Sequence, residues 1–253
     1  MRRVPSVRSA SSWRAVPVFA AALSYLLLAL PVAHLPLQGF SWLSFFSSRR
    51  NRAVPPLRYI GDSQLMQPQR ALTEPEIHSP EVQANLDMLL SAMRKYGGIG
   101  IAAPQVGWWV RAMVFGIEGE NKRYPQAENV PLQFWINPEI VWSSKDRNWM
   151  WEGCLSVPGM RGWVGRPTEV RMTGLDRSGF SREVHLVGLP ARIAQHEIDH
   201  LDGLLFPERV NTNNNNNRLL LPNAAFDAKE TWRTHWPSPG SWKTALGQLS
   251  DAP

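Results

Sequence analysis

Between His78 and Gly98 the apolar residues Val82, Leu86, Leu89, Leu90 and Met93 recur mostly at steps of three and four. That spacing keeps side chains on one face of a helix, because each residue turns about 100° around the axis. Ser79 can cap the first turn, Pro80 suits it, and Gly97-Gly98 ends the pattern. Then the period changes. "VRAMVFGI" (Val110 to Ile117) and "FWINPEIVW" (Phe134 to Trp142) are short apolar runs that predict strands, and "TEVRMTGL" and "FSREVHLVG" flank "DRSG" (Asp176 to Gly179) as a hairpin would. A second helix is predicted from about Leu189 to His200, stopping at Gly203. In it Leu189, Ile193, His196 and His200 follow steps of four, three and four, a single stripe, with Ala194, Ile198 and Leu201 as a second apolar stripe beside it. Two histidines thus stand where a buried helix would carry Leu or Ile. Burying two imidazoles and the carboxylate of Glu197 without partners is costly, so something must satisfy them there, and a metal ion would.

Composition adds the setting. The chain has 253 residues, 43% of them hydrophobic, enough for one sizeable domain with appendages or for two small ones. The formal charge of +6 points towards nucleic acid only until it is localised. Residues 1 to 61 hold eight arginines, no lysine and no acid, whereas the remainder holds 19 basic and 21 acidic residues. The basicity belongs to the leader, and no direct nucleic-acid binding is expected. That leader, residues 1–57, is Arg-rich and Ser-rich and contains the apolar run "VPVFAAALSYLLLALPVA" (Val16 to Ala33), after which "SSRRNR" resumes the basic pattern. A signal-like part followed by a transit-like part fits import into a plastid, a single mitochondrial presequence is the competing reading, and no stable membrane span is expected in the mature form. Residues 58–210 would form the domain. Residues 211–253 begin with "NTNNNNNR", a low-complexity loop, and continue as a tail without a recognisable motif.

Three stretches carry candidate chemistry. In "QHEIDHLDG" (Gln195 to Gly203), the four-residue spacing places His196 and His200 one helical turn apart, where both can reach one metal, with Glu197 beside the first. The same letters would also fit a polar patch on a surface helix, but the apolar stripe opposes that reading. "WEGCLSVPG" (Trp151 to Gly159) holds the single cysteine, Cys154, which excludes an intramolecular disulfide. A lone cysteine is commonly a small buried hydrophobe. Here Gly153 lets the backbone approach closely, and a Ser-Val-Pro turn is expected to follow. A thiolate with two imidazoles would give three protein ligands and leave a fourth position for water, whereas structural zinc sites usually close all four. "GGIGIAAPQVG" (Gly97 to Gly107) has the wrong spacing for a dinucleotide or phosphate loop and reads as a Gly-rich turn. Gln105 is its only side chain able to donate a hydrogen bond to an oxygen.

In this order, "GIGIAAPQ", "EGCLS" and "QHEIDHL" resemble the three motifs of the peptide deformylases, and the likeness covers roughly residues 58 to 210. The resemblance implies an α+β fold with antiparallel β-sheets packed around a central helix that carries the HExxH motif. It implies a metallohydrolase that removes the N-formyl group from the initiator methionine of N-formylmethionyl nascent polypeptides; with the leader, that activity is expected near an organellar ribosome. By matching position, Cys154, His196 and His200 would bind one divalent metal, ferrous iron (Fe2+) first and Zn2+, Ni2+ or Co2+ as substitutes. Glu197 would be the acid/base, and Gln105 with the Leu155 backbone N–H would hold the oxyanion. Ile99, Gly100 and Gly153 match backbone positions that pair with an extended substrate, Arg161 matches a substrate-contacting arginine, and Arg166 is read as structural. The competing readings are a zinc metalloprotease of the HExxH type, which would need a further ligand such as Asp202, Glu208 or His235, and a non-catalytic metal-binding module.

Overall fold

The computed structural model describes residues 53–119, 128–210 and 219–228. The leader's apolar run and His235 lie outside them. In chain order the described elements begin with the short helix α1 (Glu74–Ile77), the helix α2 (Pro80–Lys95) and the strands β1 (Gly100–Ala102) and β2 (Ala112–Ile117). There follow β3 (Val130–Ser143), β4 (Arg147–Cys154), β5 (Val157–Pro167), β6 (Glu169–Leu175) and β7 (Ser181–Val187). The helix α3 (Leu189–Leu201), the strand β8 (Leu220–Pro222) and the helix α4 (Asn223–Asp227) complete the series.

Two antiparallel sheets result, one of five strands in the order β1-β2-β3-β6-β7 and one of three in the order β4-β5-β8. Helix α3 packs against β1, β2, β3 and β7 of the first sheet and against β5 of the second, so it is the central helix of an α+β fold. Its Leu189, Ala191, Ile193, Ala194, Ile198 and Leu201 are buried with Met113, Phe115, Trp135 and Met172 from the larger sheet. Both of its stripes are therefore inside, which is why the histidines on one of them are withdrawn from bulk water. Gly203 ends this segment with φ 77°, and a Cβ there would fall 2.6 Å from the Gln67 carbonyl carbon, so glycine is required for both reasons. On the outer side of the same sheet, Val82, Leu86, Leu89 and Met93 of α2 pack with Ile101, Val114 and Ile136. Ser79 caps that helix by accepting from Val82 N at 3.2 Å.

The structure departs from the expected elements in three places. The strand expected over 134–142 runs from Val130 to Ser143 and is broken by a register shift between Ile136 and Glu139. Asn137 takes φ 50° there, and its side chain pairs with Leu72 like a strand residue, accepting from Leu72 N and donating to Leu72 O, both at 2.8 Å. The Ser-Val-Pro turn lies earlier than expected: β4 runs through Cys154, the chain reverses at Leu155-Ser156, and Val157 and Pro158 already belong to β5. The Gly-rich stretch is less a turn than a short edge strand, β1, followed by a 3-10 turn at Ala103–Val106. Beyond the Asn-rich run the chain returns, with Leu219 fully buried and β8 paired to β5.

Candidate active site

The site is assembled where the end of β4 meets the middle of α3. His196 and His200, one turn apart, have ring centroids 5.2 Å apart and ring planes inclined at 78°. Cys154 is brought against them from 46 residues away, with Sγ 3.1 Å from His200 Nε2. One ligand atom from each of the three residues lies within 4.8 Å of the others, the only group among the described residues that could hold a metal ion in this way. Ser156 N donates to Sγ at 3.3 Å, and Gln105 Nε2 at 3.6 Å. Burial opposes a charged thiol here, but the charge of His200 and hydrogen bonds from His196 and His200 outweigh it and hold Cys154 well below the ordinary thiol range. His196 is held well above the usual imidazole range, since hydrogen bonds and charge from Cys154 and Glu152 outweigh its burial. The low thiol pKa supplies the thiolate that a soft or borderline divalent metal takes, and a bound cation would displace the proton that the raised pKa leaves on His196.

Glu152 fixes the orientation of His196. Its Oε2 is 3.0 Å from His196 Nδ1, which leaves Nε2 for the cluster. The carboxylate itself is gripped by Arg166, through Nε at 2.7 Å and Nη2 at 3.0 Å, and by Arg192 Nη1. Burial would raise its pKa, yet the charges of Arg166 and Arg192 outweigh burial and hold it well below the carboxylate range. Arg166 also reaches Asp199 at 2.8 Å, and Arg209 meets the other oxygen of Asp199 at 2.8 Å. Arg166 is thus embedded in an ion-pair network behind the cluster. Sequence reasoning assigned no role to Glu152, Ser156, Arg192 or Asp199; the signal was there in charged residues set within the apolar stretch of α3 and directly before Gly153.

Glu197 lies one residue from the first histidine, 4% exposed, and its Oε2 has no hydrogen-bond partner. Burial pushes its pKa up to about 7 against the opposing charges of His196 and His200. Its other oxygen is so close to β1 that a Cβ on Gly100 would stand 2.5 Å from it and 2.9 Å from Ile193 Cγ2. Gln105 is held by Ala102 N, which donates to its Oε1 at 2.8 Å, so that its amide nitrogen turns towards Ser156 Oγ at 3.1 Å and the cysteine sulfur. Ile99, Gly100, Gln105, Gly153, Leu155 and Glu197 line one cleft with Cys154 and His196. Among the described strands β1 pairs only with β2, which makes it an edge strand, and Gly100 at its start lines that cleft. Arg161, on β5, lies against Gly153 and flanks the cleft without entering its lining. A wider cleft behind α3 is lined by Arg111, Asp199, Asp202 and Arg209, whose charges are tied in ion pairs of 2.7 and 2.8 Å, and it holds none of the three ligand residues. Asp202 is thereby engaged elsewhere, and Glu208 Oε1 accepts from Leu205 N at 3.1 Å, so neither completes the ligand set that a metalloprotease reading required.

A thiolate and two imidazoles on a buried helix, with a desolvated carboxylate and an amide donor beside them, define a metal-dependent hydrolase built on antiparallel sheets. The comparisons with known proteins narrow that class. The family described as polypeptide deformylase matches residues 54–216, and the chain belongs to that family. Peptide deformylase 1 of Nitrosomonas europaea is 41% identical over 158 residues, which span 62% of this chain and 88% of that protein. Peptide deformylase 2 of Pseudomonas putida is 41% identical over 151 residues, 60% of this chain and 84% of that one. Among solved structures, a Met-Ala-Ser-bound class I type b peptide deformylase from Acinetobacter baumannii aligns with TM-score 0.60 and 37% identity, covering 62% of this chain and 98% of that one. A peptide deformylase from Synechococcus elongatus in complex with actinonin aligns with TM-score 0.56 and 36% identity over 70% of this chain and 88% of that one.

Proposed function

We propose that this deformylase acts on N-formylmethionyl polypeptides made inside an organelle, and that Cys154, His196 and His200 hold its metal. The observation that carries the site assignment is the convergence of the three ligand atoms within 4.8 Å beside the unpartnered oxygen of Glu197. A divalent ion held there would supply Lewis-acid polarisation of water and of the formyl oxygen. The family likeness points to Fe2+, and the donor set suits Zn2+, Ni2+ and Co2+ as well.

The chain's own groups account for the remaining steps. Glu197 accepts the proton of the attacking water as it adds to the formyl carbon, and its raised pKa lets it hold that proton near neutral pH. Gln105 Nε2, oriented by Ala102, donates to the oxygen on which negative charge develops, and the Leu155 N–H donates to the same oxygen. The C–N bond then breaks, Glu197 returns the proton to the departing amine, and formate and a free methionyl N-terminus result. The edge backbone at Ile99 and Gly100, where β1 begins, receives the peptide by strand addition, opposite Gly153.

The test is formate release from formyl-Met-Ala-Ser, with unformylated Met-Ala-Ser as control and anaerobic metal analysis of the same sample. Cleavage of the unformylated peptide, or metal binding without turnover of either, would overturn the assignment. The organellar setting rests on the acid-free, Arg-rich and Ser-rich residues 1–57. A fluorescent reporter fused behind them should enter a plastid or mitochondrion, and a cytosolic or secreted reporter would refute that part alone. No described helix is long and apolar enough to cross a membrane.

A further inference from the structure

We propose that Phe226, in the segment from Leu219 to Asp227, is a positioning residue that holds Arg161 over Gly153 at the flank of the peptide groove. This rests on the deformylase reading of the cleft. The segment is anchored on β5: Trp163 N donates to Leu219 O at 2.9 Å, and β8 pairs with β5 at Met160↔Pro222, Arg161↔Leu221 and Gly162↔Leu220. That pairing sets Phe226, four residues beyond the strand, against two neighbours. Its ring meets Trp151 edge-on with centroids 5.6 Å apart and planes at 69°. Arg161 Cζ lies 5.8 Å from the centre of the same ring, within reach of a cation–π contact.

On its other side the Arg161 guanidinium occupies the space of the side chain that Gly153 lacks, since a Cβ there would fall 1.6 Å from Nη1. Gly153 lines the cleft and precedes Cys154. The guanidinium is therefore held between the Phe226 ring and the Gly153 backbone, at the flank of the groove opposite the edge strand β1. A long arginine side chain loses much rotamer freedom when fixed, and it is fixed only where something holds it. Fixed there, its N–H groups meet acceptors of an extended peptide beyond the formylmethionine: backbone carbonyl oxygens or a C-terminal carboxylate. The ring of Phe226 thus decides how well the downstream part of a substrate is held, while the formyl group reacts elsewhere in the cleft.

Phe226→Leu keeps apolar bulk against Trp151 and removes the aromatic face, and Phe226→Trp keeps the face. With the metal-loaded full chain, we expect Phe226→Leu to raise KM for formyl-Met-Ala-Ser about three- to ten-fold with kcat within about two-fold, and to raise it less for formylmethionine amide. Phe226→Trp should restore the wild-type KM. In an Arg161→Met background Phe226→Leu should add no further loss, because the contact it removes is already gone. A KM change equal for both substrates, or equal with and without Arg161, would show a general packing role and overturn the proposal. So would an unchanged KM in Phe226→Leu with wild-type melting behaviour. A metal-loaded wild-type protein that releases no formate would instead overturn the deformylase reading itself, and this inference with it.

Discussion

Replacing Glu152 by Gln tests how the ion-pair network behind the cluster supports the metal ligands. The native carboxylate accepts from Arg166 twice, from Arg192 and from His196, and it is 4% exposed. Glutamine keeps the shape but removes the negative charge and substitutes an NH2 donor for one acceptor oxygen. Two guanidinium groups, both 4% exposed, would then share Asp199 and neutral acceptors only. Breaking a buried pair from one side costs about 3–5 kcal/mol; because Asp199 still meets Arg166 at 2.8 Å and Asn148 O still meets Arg192 at 2.9 Å, the lower end, near 3 kcal/mol, is expected. His196 Nδ1 simultaneously loses the acceptor that sets its ring, and the loss of such a partner commonly weakens metal binding about 10–100-fold. Urea unfolding of wild type and variant, each metal-free, measures the first quantity. Competition with a chelator of known affinity measures the second. A stability loss below about 1 kcal/mol together with an unchanged metal affinity would refute the reasoning, since it would mean that the buried carboxylate neither neutralises the arginines nor orients the histidine.

Glu197→Gln should keep one metal per chain and lose most turnover, because the amide fills the same space but cannot accept the proton of water; full formate release in that variant would remove Glu197 from the mechanism. Cys154→Ser should lose metal on dialysis while remaining folded, since a hydroxyl gives up its proton far less readily than a thiol of ordinary pKa about 8.5; a variant with one tightly held metal and normal activity would show that the thiolate is not a ligand. Gly100→Ala should lower kcat/KM by about 100-fold or more, because its methyl would stand 2.5 Å from Glu197 Oε1 and 2.9 Å from Ile193 Cγ2, and misplacing a catalytic group by about 1 Å is costly on that scale. Wild-type kinetics in Gly100→Ala would mean that the edge strand and the carboxylate are not the close neighbours described.

Local pattern sufficed for the elements that repeat it. The steps of three and four in α2 and α3, with Ser79 ahead and Gly203 behind, specify helices whose buried faces can be written down residue by residue. The spacing of His196 and His200 fixes their shared face for the same reason, and the hairpin of β6 and β7 follows from its turn residues. Where the periodicity was interrupted, the reading failed. Asn137 bends β3 by pairing its side chain with Leu72, 65 residues earlier, and β4 and β5 draw their pairing from each other rather than from any alternation visible in "WEGCLSVPG". Motif order marked Cys154 as a ligand, but nothing in a one-dimensional pattern sets its sulfur 3.1 Å from His200. That distance comes from packing β4 and β5 against α3. The partners of Glu152 lie 14, 40 and 44 residues away, and only the folded chain withdraws all of them from water at once, so that charges harmless on a surface must pair with one another. The sequence by itself thus determined which residues share a helix face and which chemistry they could carry. Tertiary structure decided which buried groups meet, because desolvation and pairing act between residues that are neighbours only in space.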